Sequence, residues 1–447
     1  MRFHIHTYGC QMNARDSEAA AALLVAHGYE SVSDEAQADL ILVNTCSVRG
    51  KAEDKALGKL RLLVVGKRNA PGRIVGIMGC MAQRLQNELL QRIHGLDFVI
   101  GTRRVSRLPE VLDEVVAGRG PVVCASGEEE DVTRLRGHLP DGRPSAFVNI
   151  LFGCDRRCSY CIVPDVRGHE RSRMAADVLA EVQGLAAQGV REVTLLGQSV
   201  MSYGQRQEVW AADQISAMGL KNPLPRLLEA VCGISGIERV RFMSGHPSGC
   251  IPELARVMAE QPKVCPHLHL PVQSGSDRVL ARMRRGYTSD DYRRAVAVLR
   301  DTVPGLSLTT DIIVGFPGET EEDFEATVRF AEMMDFDNAF IFKYSPRPGT
   351  PAAAWRDDVP YVEKMKRNRR LLDEQDIRGL RLNHRLVDTV QQVLVEGVSL
   401  RNSKRWSGRS RTNKIVVFDP LPGVCIGDLI DVRIERVMAQ TIYGVAV

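Results

Sequence analysis

Short apolar runs and amphipathic stretches alternate along most of this chain, and that alternation constrains its fold more than any other feature. Residues 3–8, 40–45, 73–78 and 98–100 read as strands, and residues 16–26, 52–65 and 83–93 carry helical spacing between them. Strand–helix alternation predicts a parallel α/β sheet with right-handed crossovers, a Rossmann-like N-terminal domain. The pattern stops over residues 118–145, where an acidic run from Glu128 to Asp131 precedes Pro140, Gly142 and Pro144, so a linker is expected there. It then resumes, with strands at 146–151, 192–196, 239–243, 267–270, 307–314 and 339–343. Helical spacing separates them at 175–188, 224–231, 251–260, 290–300 and 321–334. Six βα units predict a partial (β/α)6 barrel, with an open doubly wound sheet as the competing arrangement. After a basic helix over 361–382, short strands at 387–396, 414–418, 429–434 and 441–447 are punctuated by glycines, as in a small OB-like β-barrel. The expected division is an α/β multidomain chain: residues 1–118, a linker 119–139, a core 140–372 and a C-terminal barrel 373–447.

The composition, 44% hydrophobic and 26% charged over 447 residues, excludes a mainly disordered chain. The start lacks the apolar run of a secretory signal, and the apolar stretch 19–26 is too short to cross a bilayer. A soluble, cytoplasmic protein with no membrane partner is expected. The net charge is only +4, but residues 364–411 hold 13 Lys or Arg against five Asp or Glu. A basic block beside a near-neutral body suggests a polyanion contact, with a solvated helix face as the alternative.

Eleven cysteines in a cytosolic chain point to metal or redox chemistry rather than disulfides. The strongest local signal is Cys154-Asp-Arg-Arg-Cys158-Ser-Tyr-Cys161, three thiols within eight residues after the first strand of the large domain. Three thiolates from one loop can hold three corners of a 4Fe–4S cube and leave one iron open. Zinc is the rival, but it needs a fourth ligand, and His169 is the only nearby candidate. A second group is dispersed. Cys10, Cys46 and Cys80 each follow a predicted strand, at separations of 36 and 34 residues. Strand ends of a parallel sheet share one edge, so these thiols can meet there, although three separately buried thiols are the alternative. Gly9 and Gly79, directly before two of them, would let backbone approach closely.

The C-x3-C-x2-C spacing, with Tyr160 before the last cysteine, resembles the signature of the radical S-adenosylmethionine (SAM) superfamily. Thr7-Tyr-Gly-Cys-Gln-Met-Asn-Ala-Arg-Asp-Ser-Glu18, Asn44-Thr-Cys-Ser-Val-Arg49 and Gly79-Cys-Met-Ala-Gln-Arg84 resemble the N-terminal domain of its methylthiotransferase family. Arg167-Gly-His-Glu-Arg-Ser-Arg173, His267-Leu-His-Leu-Pro-Val-Gln-Ser-Gly-Ser276, Thr310-Asp-Ile-Ile-Val-Gly-Phe-Pro-Gly-Glu-Thr320 and Tyr344-Ser-Pro-Arg-Pro-Gly-Thr-Pro351 continue the resemblance. Leu394-Val-Glu-Gly-Val-Ser399 and Gly408-Arg-Ser-Arg-Thr-Asn413 resemble a TRAM domain, an RNA-binding barrel. Two stretches depart from the family pattern. Gly197-Gln-Ser-Val-Met-Ser-Tyr203 stands where Gly-Gln-Asn-Val-Asn-Ser-Tyr is usual, and Ser244-Gly-His-Pro247 where Ser-Ser-His-Pro is usual.

The resemblance implies two 4Fe–4S clusters, one on Cys10, Cys46 and Cys80 and one on Cys154, Cys158 and Cys161. It implies SAM contacts from Tyr160, Arg173, Gly197, Gln198, Gln273 and Ser274. One SAM would donate a methyl group to sulfur on the N-terminal cluster, and another would be cleaved reductively to a 5′-deoxyadenosyl radical that removes hydrogen from C2 of an adenosine beside the anticodon. That C2–H has no useful acidity, so no general acid or base is nominated; cofactors carry such chemistry. The implied partners are a tRNA carrying dimethylallyladenosine, a flavodoxin or ferredoxin reductant and a sulfur or cluster donor, with the protein acting as a monomer. Arg401, Lys404, Arg405, Arg409, Arg411 and Lys414, in or beside a turn region of the expected small barrel, would engage phosphates, and Trp406 would stack on a base or pack on its own domain. Gln11-Met12 after Cys10 resembles the dimethylallyladenosine branch. The alternatives are threonylcarbamoyl-adenosine in tRNA, an aspartate of a ribosomal protein, or a non-catalytic iron–sulfur RNA-binding protein. The remaining thiols, Cys124, Cys232, Cys250, Cys265 and Cys425, read as structural. His4 and His6 read as packing, His267 and His269 as packing or substrate-facing, and Asn13, Asp16 and Ser17 as helix caps or site residues.

Overall fold

The computed structural model describes residues 1–47, 50–127, 142–210, 223–249 and 252–447. The chain divides into two compact units. One comprises Met1–Leu139, Leu151–Arg157 and Cys161–Arg171; the other comprises Pro140–Ile150, Cys158–Tyr160 and Ser172–Val447.

The first unit is built on a parallel sheet of β1 (Arg2–Tyr8), β2 (Glu30–Ser31), β3 (Leu40–Thr45), β4 (Ile74–Gly79), β5 (Phe98–Gly101) and β6 (Val122–Cys124), in the order β2-β1-β3-β4-β5-β6. Side chains alternate faces along a strand. Leu40 and Leu42 therefore enter one core with Phe3, Leu24 and Phe98, while Ile41 and Val43 enter the other with Leu60, Val75 and Leu89. Helices Gln11–Ala26 and Gly50–Gly66 cross between the strands as expected. Two expectations are corrected. Val122–Cys124 falls in the supposed linker, yet it pairs in parallel with β5 as an edge strand. Three residues are too few to show a period. The helix expected at 83–93 is two helices, Cys80–Leu85 and Asn87–Arg92, broken where Gln86 turns left-handed at φ 47°. Residues 128–139 of the expected linker, which carry its acidic run, lie outside the described residues.

The second unit holds six parallel strands. They are β7 (Ser145–Asn149) and, beyond the two-residue strands β8 (Leu151–Phe152) and β9 (Arg171–Ser172), β10 (Glu192–Leu196), β11 (Arg239–Phe242), β12 (His267–His269), β13 (Ser307–Val314) and β14 (Asn338–Lys343). β7, β10 and β11 form one three-stranded sheet and β12, β13 and β14 another. A single bridge, Val240 to Val264, joins the two edges, giving the partial barrel rather than the open sheet. Thr288 and Thr320 cap helices Ser289–Thr302 and Glu321–Met334 with reciprocal bonds to Asp291 and Asp323, which satisfies amides that the helix leaves unpaired.

Helix Tyr361–His384 leads to a closed barrel of β15 (Val390–Ser399), β16 (Asn402–Ser410), β17 (Ile415–Phe418), β18 (Leu429–Val437) and β19 (Thr441–Ala446). The supposed turn region from Arg401 is thus mostly a strand. Its outward charges hide the alternation in the sequence. Much of the basic block is matched within the chain. Arg367 meets Glu319, Glu321 and Glu363; Arg370 meets Glu325 and Glu374; Lys364 meets Asp357; and Arg381 meets Asp335.

Two buried arginines on β11 attach the small barrel to the large one. Arg239 donates to the carbonyls of Arg409 (2.7 Å) and Gln392 (2.8 Å), and Arg241 to those of Arg411 (2.8 Å) and Ser410 (2.7 Å). Glu192 on β10 pairs with Arg241 at 3.0 Å. Arg241→Ala leaves Glu192 buried without that partner, a change expected to cost about 3–5 kcal/mol. Hydrogen exchange should show faster opening of β16 and β17 in that variant.

Candidate functional site

Register brings the dispersed cysteines to one edge. β1 and β3 pair with Tyr8 opposite Thr45, and β3 and β4 pair with Thr45 opposite Gly79. Cys46 and Cys80 therefore begin side by side, and Cys10 follows Tyr8 by two residues. The Cys46 amide donates to the Tyr8 carbonyl at 3.0 Å. Gly79 has φ 100°, and a Cβ there would lie 2.4 Å from Asn44 Oδ1 and 2.5 Å from the Thr45 carbonyl. Only glycine fits both restrictions. A Cβ on Gly9 would lie 2.8 Å from Cys46 Cβ.

A buried amide network holds this edge. Asn13 Nδ2 donates to Asn44 Oδ1 (3.1 Å), and Asn44 Nδ2 donates to the Asn13 carbonyl (2.7 Å) and Ser17 Oγ (2.9 Å). Ser17 bonds Thr7 at 2.7 Å. Asn13 and Ser17 therefore position the thiol-bearing turns rather than only cap a helix. Asp16 takes a bidentate bond from Arg167, at 3.1 and 2.6 Å, with both side chains almost wholly buried. Arg167 ends the helix Val163–Arg167, whose Val166 packs with Ile162 against Cys80. Thr102 donates to the Val166 carbonyl.

The electrostatics favour a thiolate here. The Cys10 thiol is held below its ordinary range, first by its hydrogen bond with Cys46, against burial, and then by the Arg167 charge and the Asn13 and Met12 amides. Burial pushes Cys80 up, and Arg167 opposes that. Sequence reasoning quoted Arg167 within a motif but gave it no role. Its signal was weak, because one arginine among several carries no mark of burial.

Cys154, Cys158 and Cys161 lie on one loop. Gly153 has φ 72°, and a Cβ there would lie 2.0 Å from the His169 carbonyl. The Cys154 amide donates to the Gly168 carbonyl at 3.2 Å. His169, the candidate fourth zinc ligand, is exposed and bonds Asp155 at 2.9 Å. Cys158 receives Arg285 Nη1 at 3.3 Å. Nothing in the sequence marked Arg285, 127 residues away. Among the described residues, no group of three His, Cys, Asp or Glu side chains has the spacing for one metal ion. A cube distributes its thiolates over separate irons, so it does not require that spacing.

The residues expected around SAM differ in availability. Gln198, after β10, buries both its carboxamide oxygen and nitrogen without a partner, which fits a polar ligand arriving there. Gly197 beside it is buried. Tyr160 packs edge-on against Phe316. Gln273 adopts φ 71° and bridges to β13 through its backbone. Ser274 Oγ is engaged by Thr327 at 3.0 Å, and Arg173 is buried against Glu181 (2.6 Å) and the Asn149 carbonyl (2.7 Å). These contacts place Ser274 and Arg173 in the barrel wall. His267 is buried on β12, where desolvation and the Arg241 charge hold it well below the usual histidine range. His269 bonds Thr309 at 3.0 Å. His4 bonds the Val32 carbonyl and His6 bonds Glu35, so packing and polar satisfaction account for both.

In the small barrel Arg401 and Lys404 are exposed, Arg405 pairs with Asp419 at 3.0 Å, and Trp406 packs partly on the barrel core. Arg409 bonds the Asn413 carbonyl at 3.2 Å. Arg411 donates to the carbonyls of Pro262 and Val264, and Lys414 pairs with Asp337 at 2.8 Å. These last two, read from sequence as phosphate ligands, sit in the joint between barrels. Of the thiols read as structural, Cys232 and Cys265 are buried, Cys124 is half-buried and Cys425 is exposed. Cys250 lies outside the described residues.

A partial parallel barrel with this cysteine loop defines a radical SAM protein. Residues 148–331 match the radical SAM superfamily, 2–101 match uncharacterized protein family UPF0004, and 384–447 match the TRAM domain. Proteins named tRNA-2-methylthio-N(6)-dimethylallyladenosine synthase are similar over nearly their whole length. That of Akkermansia muciniphila is 46% identical, covering 99% of this chain and 98% of the relative. Those of Opitutus terrae and Moorella thermoacetica are each 43% identical, covering 99% of this chain and 97% of the relative. The chain belongs to this family of radical SAM methylthiotransferases. Among solved structures, the radical SAM methyltransferase TsrM of Kitasatospora setae, with cobalamin and a [4Fe-4S] cluster bound, shares the fold. Its TM-score is 0.56 at 17% identity, covering 79% of this chain and 77% of that one. Family membership implies SAM and a 4Fe–4S cluster.

The two departures from the family pattern touch each other. The His246 amide donates to Met201 Sδ at 3.3 Å. A Cβ on Gly245 would lie 3.1 Å from Met201 Cε and 2.8 Å from the His269 carbonyl. Gly245→Ser should therefore overpack by about 1–3 kcal/mol. Met201→Ala in the same chain should recover part of that loss, seen as non-additive stabilities in a double-mutant cycle.

Proposed function

We propose that this protein adds a methylthio group to C2 of N6-dimethylallyladenosine at position 37 of tRNA, beside the anticodon. The observation that carries the reading is near full-length similarity to synthases of that name, in a chain with two separate three-cysteine groups. Cys10, Cys46 and Cys80 hold one 4Fe–4S cluster and Cys154, Cys158 and Cys161 the other. When bound, the clusters and SAM supply the radical, methyl and sulfur chemistry.

The chain's own residues bind, orient and exclude water. Gln198 offers an unpartnered carboxamide to the polar end of SAM, with Gly197 beside it after β10, Gln273 after β12 and Tyr160 on the cysteine loop as the further contacts. Arg167 supplies a buried positive charge beside Cys10 and Cys80, balanced by Asp16. The RNA contacts narrow to the exposed Arg401 and Lys404, with the part-exposed Arg405 and Trp406 beside them, because Arg409, Arg411 and Lys414 are engaged within the chain. The N-terminal domain extends through β6, followed by the radical SAM core and the TRAM barrel. A flavodoxin or ferredoxin reductant, a sulfur or cluster donor, a monomeric state and a cytoplasmic location complete the proposal.

Nucleoside mass spectrometry of total tRNA from cells lacking the gene tests it. The 2-methylthio-dimethylallyl nucleoside should disappear and its unthiolated precursor accumulate. Unchanged tRNA would overturn the tRNA assignment and direct the search to ribosomal proteins. The Cys154→Ala variant should yield no 5′-deoxyadenosine under anaerobic reduction. Replacing Lys404 and Arg405 together by alanine should weaken tRNA binding and flatten its salt dependence by about two in slope.

A further inference from the structure

Cys158 sits against a fixed cation. Helix Asp277–Arg282 ends in a left-handed residue, Arg284 at φ 55°, and the Arg285 amide returns to the Leu280 carbonyl at 3.0 Å. This reversal turns the Arg285 side chain inward. Arg285 is buried, and its guanidinium bonds Tyr287 Oη through Nε (3.1 Å), the Pro271 carbonyl through Nη2 (3.2 Å), and both Cys158 Sγ (3.3 Å) and Tyr160 Oη (3.5 Å) through Nη1. Tyr287 is itself tied to the Val272 carbonyl at 2.8 Å. The same helix end holds the next residue of the cysteine loop, because Ser159 donates to the carbonyls of Met283 (3.0 Å) and Arg282 (2.8 Å).

We infer that Arg285 sets the reduction potential of the cluster held by Cys154, Cys158 and Cys161, by donating a charge-assisted hydrogen bond to the Cys158 sulfur. Arg285 is a positioning and tuning residue, and the inference rests on the reading of Cys158 as a cluster ligand. Cluster potentials follow net charge, solvent exposure and hydrogen bonds to the sulfurs. Reduction adds negative charge to the cluster. A buried guanidinium stabilises that charge more strongly than it would in water, so it raises the potential. Its other bonds, to the Pro271 carbonyl and to the phenols of Tyr287 and Tyr160, stop it from rotating away.

The test uses the full chain carrying Cys10→Ala, Cys46→Ala and Cys80→Ala, so that one cluster is observed. Electron paramagnetic resonance follows its reduction in a redox titration, beside iron analysis. Arg285→Gln should raise the oxidised-to-reduced ratio at a fixed potential about tenfold, about 59 mV for one electron. Arg285→Lys should fall between it and the parent. Arg282→Lys, whose native arginine bonds the Pro317 carbonyl, should leave the potential in place. A loaded cluster with an unshifted potential in Arg285→Gln would overturn the inference. Should that variant fail to load iron, Arg285→Lys carries the test, and an unshifted potential there overturns it equally. Absence of any cluster in the parent chain would instead overturn the assignment of the three cysteines, and the inference with it.

Discussion

Parallel register is the constraint on which the N-terminal site depends. Two hydrogen-bonded strand pairs set Tyr8 beside Thr45 and Thr45 beside Gly79, so three thiols distant in sequence emerge at one edge. A slip of one residue would turn each side chain to the opposite face. The register is protected by burial on both faces of β3 and β4, where every residue is buried. Gly79 then permits a backbone path that no other residue could follow, and the Asn13–Asn44 bonds lock the turns together.

Buried arginines form the second theme. Their charge is costly to remove from water, and each is compensated by a specific partner set. Arg167 has the Asp16 carboxylate and lies among thiols. Arg285 has two phenols, a carbonyl and a sulfur. Arg239 and Arg241 have the carbonyls of the small barrel. None of the four acts as a surface cation. The count of basic residues overstates the charge open to RNA, and the exposed contribution shrinks toward Arg401 and Lys404 at one end of the small barrel.

Much of the fold was legible because its signals are local. Alternating apolar runs marked five of the six strands of the first sheet's successor, the large barrel, to within a residue, and the sixth strand, β7, ended two residues earlier than expected. Strand β6 was too short to show alternation. β16 was hidden because its exposed face is dense in Arg, Lys and Ser. Gln86 broke a helix by a backbone angle that no periodicity encodes. Among site residues, cysteine spacing pointed to both groups, while Arg167 and Arg285 carried no comparable mark. Arg411 and Lys414 misled for the complementary reason, since a basic side chain looks the same in sequence whether it meets a phosphate or, as these two do, a backbone carbonyl or a carboxylate of its own chain.

The sequence by itself determined the succession of an α/β sheet, six further βα units and a small β-barrel, and the loop that sets Cys154, Cys158 and Cys161 within eight residues. Those properties follow from hydrophobic period and short-range spacing, which act between neighbours along the chain. Only the tertiary structure decided which charges are buried, which carboxamide is left unpartnered at Gln198, and that an arginine 127 residues distant donates to Cys158. Desolvation and hydrogen bonding are set by what surrounds a group in space, and chain distance carries no record of that.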